Sequence, residues 1–231
     1  MNFFQIAPCG VSAIETRLDL ENYAGYISAS VEAHVGVIAA LERCVRLALV
    51  SEPDILVQCG SPIVFVKGAS FEKELREKVS AITPVRFITM TQSVVDALRA
   101  LKMQRVSLLT YYNKEFEKLL ISYLKEQGFV IDATTTVPYE VTGNEPFRAY
   151  SRISPLALYK WSEVLISKST STDGILIAGG AWQSLDVLSA IERDCDCPTV
   201  SFNQATYWGA LRSIGINDKI EGYGKLLTLV K

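Results

Sequence analysis

One unit recurs along this chain: a short apolar run, a turn of small or polar residues, then a stretch with helical spacing. Apolar runs at 3–8, 55–60, 85–89, 106–111, 175–180 and 199–203 read as strands. Helical patterns follow most of them, at 71–81, 92–101, 114–127, 155–168, 183–193 and 205–214. A strand followed by a helix comes back to its sheet as a parallel neighbour, so the alternation restricts the chain to the α/β class with doubly wound parallel sheets. There is also an internal echo. Asp54-Ile55-Leu56-Val57 running into Cys59-Gly60 is matched by Asp173-Gly174-Ile175-Leu176-Ile177 running into Gly179-Gly180. The repeat argues for two related lobes with a cleft between them, residues 1–100 plus 202–231 forming the first and 101–201 the second.

Composition narrows what such a fold can do. With 231 residues and 49% hydrophobic content the chain can bury a large core. Its net charge is -2 with both signs well mixed, and no basic block offers a phosphate-backbone footprint, so nucleic acid is not expected as a partner. No apolar run approaches the roughly 20 residues of a membrane span. Met1-Asn2-Phe3-Phe4 lacks the positive lead of an export signal, so the expected location is the cytoplasm. Five scattered cysteines, Cys9, Cys44, Cys59, Cys195 and Cys197, do not make a disulfide framework. Cys195-Asp196-Cys197 has one residue between its thiols, and the single histidine, His34, falls in an amphipathic stretch at 31–50. No metal is expected. Neither G-x-G-x-x-G nor G-x-x-x-x-G-K-[ST] occurs, so no nucleotide cofactor is expected either.

In open α/β sheets ligands sit beyond the carboxyl ends of the strands. Here those positions hold Pro8-Cys9-Gly10, Cys59-Gly60-Ser61-Pro62, Thr110-Tyr111-Tyr112-Asn113, Gly179-Gly180 and Ser201-Phe202-Asn203-Gln204. The set is rich in hydroxyls, amides and backbone N–H groups at helix starts and poor in charge. It suits one small anion, a carboxylate or dicarboxylate.

Four blocks carry a family resemblance: Gly60-Ser61-Pro62-Ile63-Val64-Phe65-Val66-Lys67-Gly68, Thr91 through Leu101, Asp173 through Asp186, and Ser201 through Trp208 with Ala210-Leu211-Arg212. In this order and spacing they resemble the arylmalonate decarboxylase and maleate isomerase branch of the aspartate/glutamate racemase superfamily, from about Ile6 to Ile216. The resemblance implies two pseudo-symmetric, Rossmann-like lobes with the active site in the cleft and no cofactor. In the racemases and isomerases two cysteines face each other across the substrate. The decarboxylases keep the second, with glycine at the first, and that thiol protonates the enediolate left when carbon dioxide departs. Oxyanion holes of hydroxyls and N–H groups hold the carboxylates.

This chain departs from that pattern at the chemistry. Counting back from Phe65 and Gly68, the first cysteine position falls on Gly60. Counting back from Leu185-Asp186, the second falls on Gly179. A register one residue earlier at the first turn would bring in Cys59, and Cys9 in the first strand-end loop is a second thiol within the motif set. Gly179→Cys is expected to restore the missing sulfur, the foreseen obstacle being a left-handed backbone at Gly179.

The remaining carry-overs each have a structural alternative. Ser61 matches an oxyanion-hole position, against a helix cap. Pro62 removes an N–H donor where relatives often carry serine. Tyr112 matches a tyrosine whose hydroxyl contacts substrate, against packing, and Tyr111 reads as core. Gly180 offers an N–H, against simple backbone freedom. Asn203 stands between ligand contact and loop support, and Glu15 between the isomerases' glutamate and an ordinary helix-start acid. The expected site therefore takes Tyr112, Ser61, Cys59 and Cys9 as catalytic candidates and Pro8, Gly10, Gly60, Pro62, Asn113, Gly179, Gly180 and Asn203 as binding candidates. The expected function is a cofactor-free lyase acting through an enediolate. The alternatives are an isomerase or racemase using a displaced thiol, and a carboxylate-binding protein without chemistry. Substrate, self-association and the lining among Tyr23, Tyr26, Tyr139, Phe147 and Trp182 stay open.

Overall fold

The computed structural model describes residues 2–18, 37–60, 62–138 and 153–230. Ser61, His34, Tyr23, Tyr26, Tyr139 and Phe147 lie outside the described residues. The strands are β1 (Ile55–Gln58), β2 (Arg86–Thr89), β3 (Arg105–Thr110), β4 (Val130–Thr136), β5 (Gly174–Ala178) and β6 (Thr199–Ser201). The helices are α1 (Val37–Leu49), α2 (Pro62–Phe65), α3 (Ala69–Ser80), α4 (Met90–Ala100), α5 (Lys114–Glu126), α6 (Pro155–Lys168), α7 (Leu188–Cys195) and α8 (Phe202–Ser213). β1 and β2 pair in parallel, and β3 to β6 form a second parallel sheet in the order β4-β3-β5-β6. The protein is an α/β fold with parallel sheets, as the alternation requires.

Local chemistry explains where the elements begin. β5 is buried along its whole length, which its Gly-Ile-Leu-Ile-Ala sequence permits only as a central strand covered on both faces. Thr89, Asn113 and Ser154 each turn a side-chain oxygen onto the first backbone N–H groups of α4, α5 and α6, and Pro155 sits where its missing N–H costs nothing. Ser201 and Gln204 form a reciprocal capping box at the start of α8. α8 then leaves the four-stranded sheet to pack on α4. Gly209 makes that crossing close, because a Cβ there would stand 2.8 Å from the Ser93 hydroxyl.

The structure differs from the sequence expectation in three elements. Residues 3–8 are not a strand: Asn2–Gln5 wind into a 3-10 turn. Phe3 and Ile6 are buried there, Phe3 edge-on to Tyr207 at 5.4 Å, so their apolar character serves an anchor. The strand β4 was not expected, since its Asp-Ala-Thr-Thr-Thr stretch carries no apolar run. The helix expected at 183–193 begins as a 3-10 turn, Leu185–Val187, and becomes α7 only at Leu188.

Candidate functional site

Two contacts join the carboxyl ends of the two sheets, and a third ties neighbouring strand ends within the four-stranded one. Phe65, at the end of α2 beyond β1, packs edge-on against Tyr112 beyond β3, with ring centroids 5.6 Å apart. Met90, the first residue after β2, lies against Gly180 beyond β5, where its Cε would be 3.5 Å from a Cβ on that glycine. Asn203, in the first turn of α8 beyond β6, donates its amide to the carbonyls of Gly180 and Trp182, each at 3.1 Å. The loops after β1, β2, β3, β5 and β6 therefore form one neighbourhood.

On the four-stranded side this neighbourhood is built around an absent side chain. β3 and β5 run in register to Thr110 and Ala178, so the next residues, Tyr111 and Gly179, emerge side by side. The ring of Tyr111 lies on Gly179: a Cβ at residue 179 would sit 2.7 Å from its Cδ1 and 3.2 Å from its Cζ, and nearer still to Cε1. Trp182 braces the ring at 4.9 Å and Tyr112 at 4.8 Å. Gly179 is not among the left-handed glycines. The foreseen obstacle to a cysteine at 179 is thus corrected: it is the Tyr111 ring and not the backbone. Trp182 is 1% exposed, and its indole N–H has no hydrogen-bond partner among the described residues. A buried donor without a partner is costly, which makes it notable beside a proposed anion site.

On the β1 side the turn is set by a glutamine. Gln58 is 4% exposed and donates its amide to the carbonyls of Cys59, at 2.5 Å, and Gly60, at 3.0 Å, while its Oε1 has no partner among the described residues. Gly60 has φ 96°, a conformation that favours glycine. Solvent reaches Cys59. Its thiol is nonetheless pushed up to about 11, first by desolvation and second by the Glu15 carboxylate. At neutral pH Cys59 is therefore an intact S–H, a poor nucleophile and base.

A sequence profile described as arylmalonate decarboxylase matches residues 25–227. The chain belongs to the arylmalonate decarboxylase family. Arylmalonate decarboxylase of Bordetella bronchiseptica is 30% identical over 168 residues, covering 72% of this chain and 68% of that one. A structure of unliganded arylmalonate decarboxylase superposes with a TM-score of 0.76 at 27% identity, covering 83% and 82% of the two chains. A cysteine-to-alanine variant of the maleate isomerase from Pseudomonas putida, solved with maleate, has the same fold, with a TM-score of 0.74 at 20% identity over 85% and 78% of the chains.

The other residues singled out from the arylmalonate decarboxylase pattern occupy varied settings. Asn113 caps α5, its Oδ1 accepting from Glu115 and Phe116 N–H groups at 3.1 and 2.9 Å. Asn203 has its amide nitrogen engaged in holding the Gly180–Trp182 loop. Pro62 opens α2, and Tyr112 lies between the rings of Phe65 and Phe116. Pro8, Cys9 and Gly10 belong to a turn closed by the Val11 N–H on the Pro8 carbonyl at 3.1 Å, with Gly10 at φ 83°. Cys9 is exposed, and among the described residues no ring contact or hydrogen bond ties it to the other strand ends. Sequence reasoning passed over Gln58 and Met90, read Tyr111 as core and left Trp182 open as a lining candidate. Tyr111 had a further signal, as the neighbour of Gly179 once β3 and β5 are paired.

Proposed function

We propose that this chain is a cofactor-free lyase that holds a small malonate-like dicarboxylate at the meeting of the strand ends and decarboxylates it through an enediolate. Residues 1–100 plus 202–231 and residues 101–201 would act as the two lobes around it. The observation that carries the reading is the meeting of α2, which follows the Gly60 turn, with the Gly179–Gly180 turn at one wall of aromatic rings. Phe65, Tyr111, Tyr112 and Trp182 form that wall through ring contacts of 4.8 to 5.6 Å. Backbone N–H groups at such turns suit carboxylate oxygens, and the rings suit an aryl or alkenyl substituent. Gly60, Ser61, Gly179 and Gly180 would hold the oxyanions with the Tyr112 hydroxyl. Pro62, Asn113 and Asn203 would shape the turns, and the Pro8-Cys9-Gly10 turn would border the entrance.

The reaction asks little of a protein beyond that. Cleaving the bond to one carboxylate leaves its electron pair on the α-carbon, delocalised into the remaining carboxylate, and N–H donors aimed at that developing charge lower the barrier. The raised thiol of Cys59 argues against that residue as the displaced thiol of the isomerase or racemase alternative, in which a thiolate must attack or abstract a proton. The test is a thermal-shift screen with phenylmalonate, alkenylmalonates, maleate and aspartate, followed by carbon dioxide release for each binder. Stabilisation by malonates with turnover is the expected outcome. Binding without turnover would leave a carboxylate-binding protein, and double-bond isomerisation of maleate would replace the lyase reading.

A further inference from the structure

We propose that Tyr111 is the acid that completes this reaction, delivering its phenolic proton to the α-carbon from the side of Gly179. The assignment rests on the lyase reading above and supplies the proton donor which that reading leaves open. The balance is simple. The carbon–carbon bond to the departing carboxylate breaks and carbon dioxide leaves. The electron pair held in the enediolate then forms a carbon–hydrogen bond with the phenolic proton, and the phenolate recovers a proton from water.

Among the described residues two phenols and one thiol stand in the turns after β1 and β3, and geometry separates them. Cys59 follows β1, which belongs to the two-stranded sheet, whereas Gly179 follows β5 in the other. Tyr112 packs its ring between Phe65 and Phe116, at 5.6 and 5.8 Å, on the wall formed by α2 and α5. Tyr111 lies on the Gly179 turn itself. The ring edge that meets residue 179 runs from Cδ1 through Cε1 to Cζ, and the hydroxyl is one bond beyond Cζ. Its phenol therefore emerges beside the backbone proposed to hold the substrate. The absence of a side chain at 179 is what lets it do so.

Position alone is not enough for an acid that must reach one carbon atom, and the ring is also held. It is 7% exposed and braced by Trp182 at a 69° angle and by Tyr112 at 59°. A ring fixed on two sides keeps its proton on one face of a planar enediolate, so product of a single configuration follows.

The experiment compares wild type with Tyr111→Phe, which keeps the ring and removes the hydroxyl with its proton. Binding is followed by calorimetry, turnover by carbon dioxide release, and stereochemistry by the configuration of the product from a methyl-phenylmalonate. Expected are unchanged ligand affinity and unfolding temperature, kcat reduced by about 10² to 10⁴, and residual product that is racemic because water then protonates either face. A phenylalanine variant that keeps the wild-type rate, or that slows yet still makes one enantiomer, overturns the assignment while sparing the lyase reading. Wild type that binds the malonate without turnover overturns both and leaves the carboxylate-binding protein. Wild type that binds no malonate removes the site as well.

Discussion

At Gly179 a single added carbon would collide with the ring of Tyr111, and the backbone offers no other objection. Gly179→Cys should therefore cost about 1 to 3 kcal/mol through overpacking, read as a lowered midpoint in urea unfolding. Paired with Tyr111→Ala the cost should be less than the sum of the two single changes, because the alanine vacates the space the sulfur needs. Strict additivity would mean that the two residues do not compete for that volume. The glycine itself was legible, from its distance to Leu185-Asp186. What filled its place was not, because Tyr111 lies 68 residues earlier and meets it only through the pairing of β3 with β5.

Between elements, a buried carboxyl ties three pieces of the fold together. Glu72 of α3 accepts from Thr89 and Thr91 at the β2–α4 junction, the latter at 3.2 Å, and from the Tyr123 hydroxyl of α5 at 2.9 Å. Burial raises its pKa, against the opposing pull of Tyr123, Arg76 and Thr91, and the Tyr123 phenol is raised in turn by burial and by Glu72. Because the native value lies above the unfolded one, the stability this group contributes is full below the ordinary glutamate range. It is lost as pH rises through the raised native value. Thermal unfolding of wild type and Glu72→Gln between about pH 4 and 9 should show the wild-type advantage shrinking as pH rises. A pH-independent difference would discard the idea. Most helices and strands were readable from period and capping residues, as at Ser154-Pro155 or Ser201-Gln204. β4 was hidden because its threonines read as polar loop, and residues 3–8 misled because an apolar run can anchor a coil as well as build a strand. Asn113 read as a binding candidate, and the amides of Asn203 and Gln204 looked equally apt for ligand or loop backbone. The structure commits Asn113 Oδ1 to the α5 cap and Gln204 to the α8 cap and the Tyr223 carbonyl, 2.7 Å away.

Across the whole molecule, the segment after α8 is drawn back over the fold by side chains from the second half of the chain. Buried Arg212 donates to the carbonyls of Ile216, Asp218, Leu227 and Leu229 at 2.7 to 3.1 Å, and the Trp208 indole shares the Leu229 carbonyl. Ser189 and Glu192 of α7 accept the N–H groups of Gly224 and Lys225, at 2.9 and 2.8 Å. Arg212→Leu should cost at least about 2 kcal/mol, since several buried carbonyls lose a charged donor. Arg212→Lys should recover little of it, because an ammonium lacks the planar fork. The unfolding midpoint and trypsin cleavage within 216–229 would report both effects, and a lysine variant as stable as wild type would refute the clamp. The resemblance across Ala210-Leu211-Arg212 was visible beforehand, but its reason was not, for the carbonyls it serves carry no sequence signature. The clamp also has a temporal side. α8 rests on α4 from the middle of the chain, and its guanidinium waits for partners up to 17 residues further on. A nascent chain therefore cannot finish closing until residues 216–229 have cleared the ribosome, and until then an unsatisfied cation sits where the core must seal.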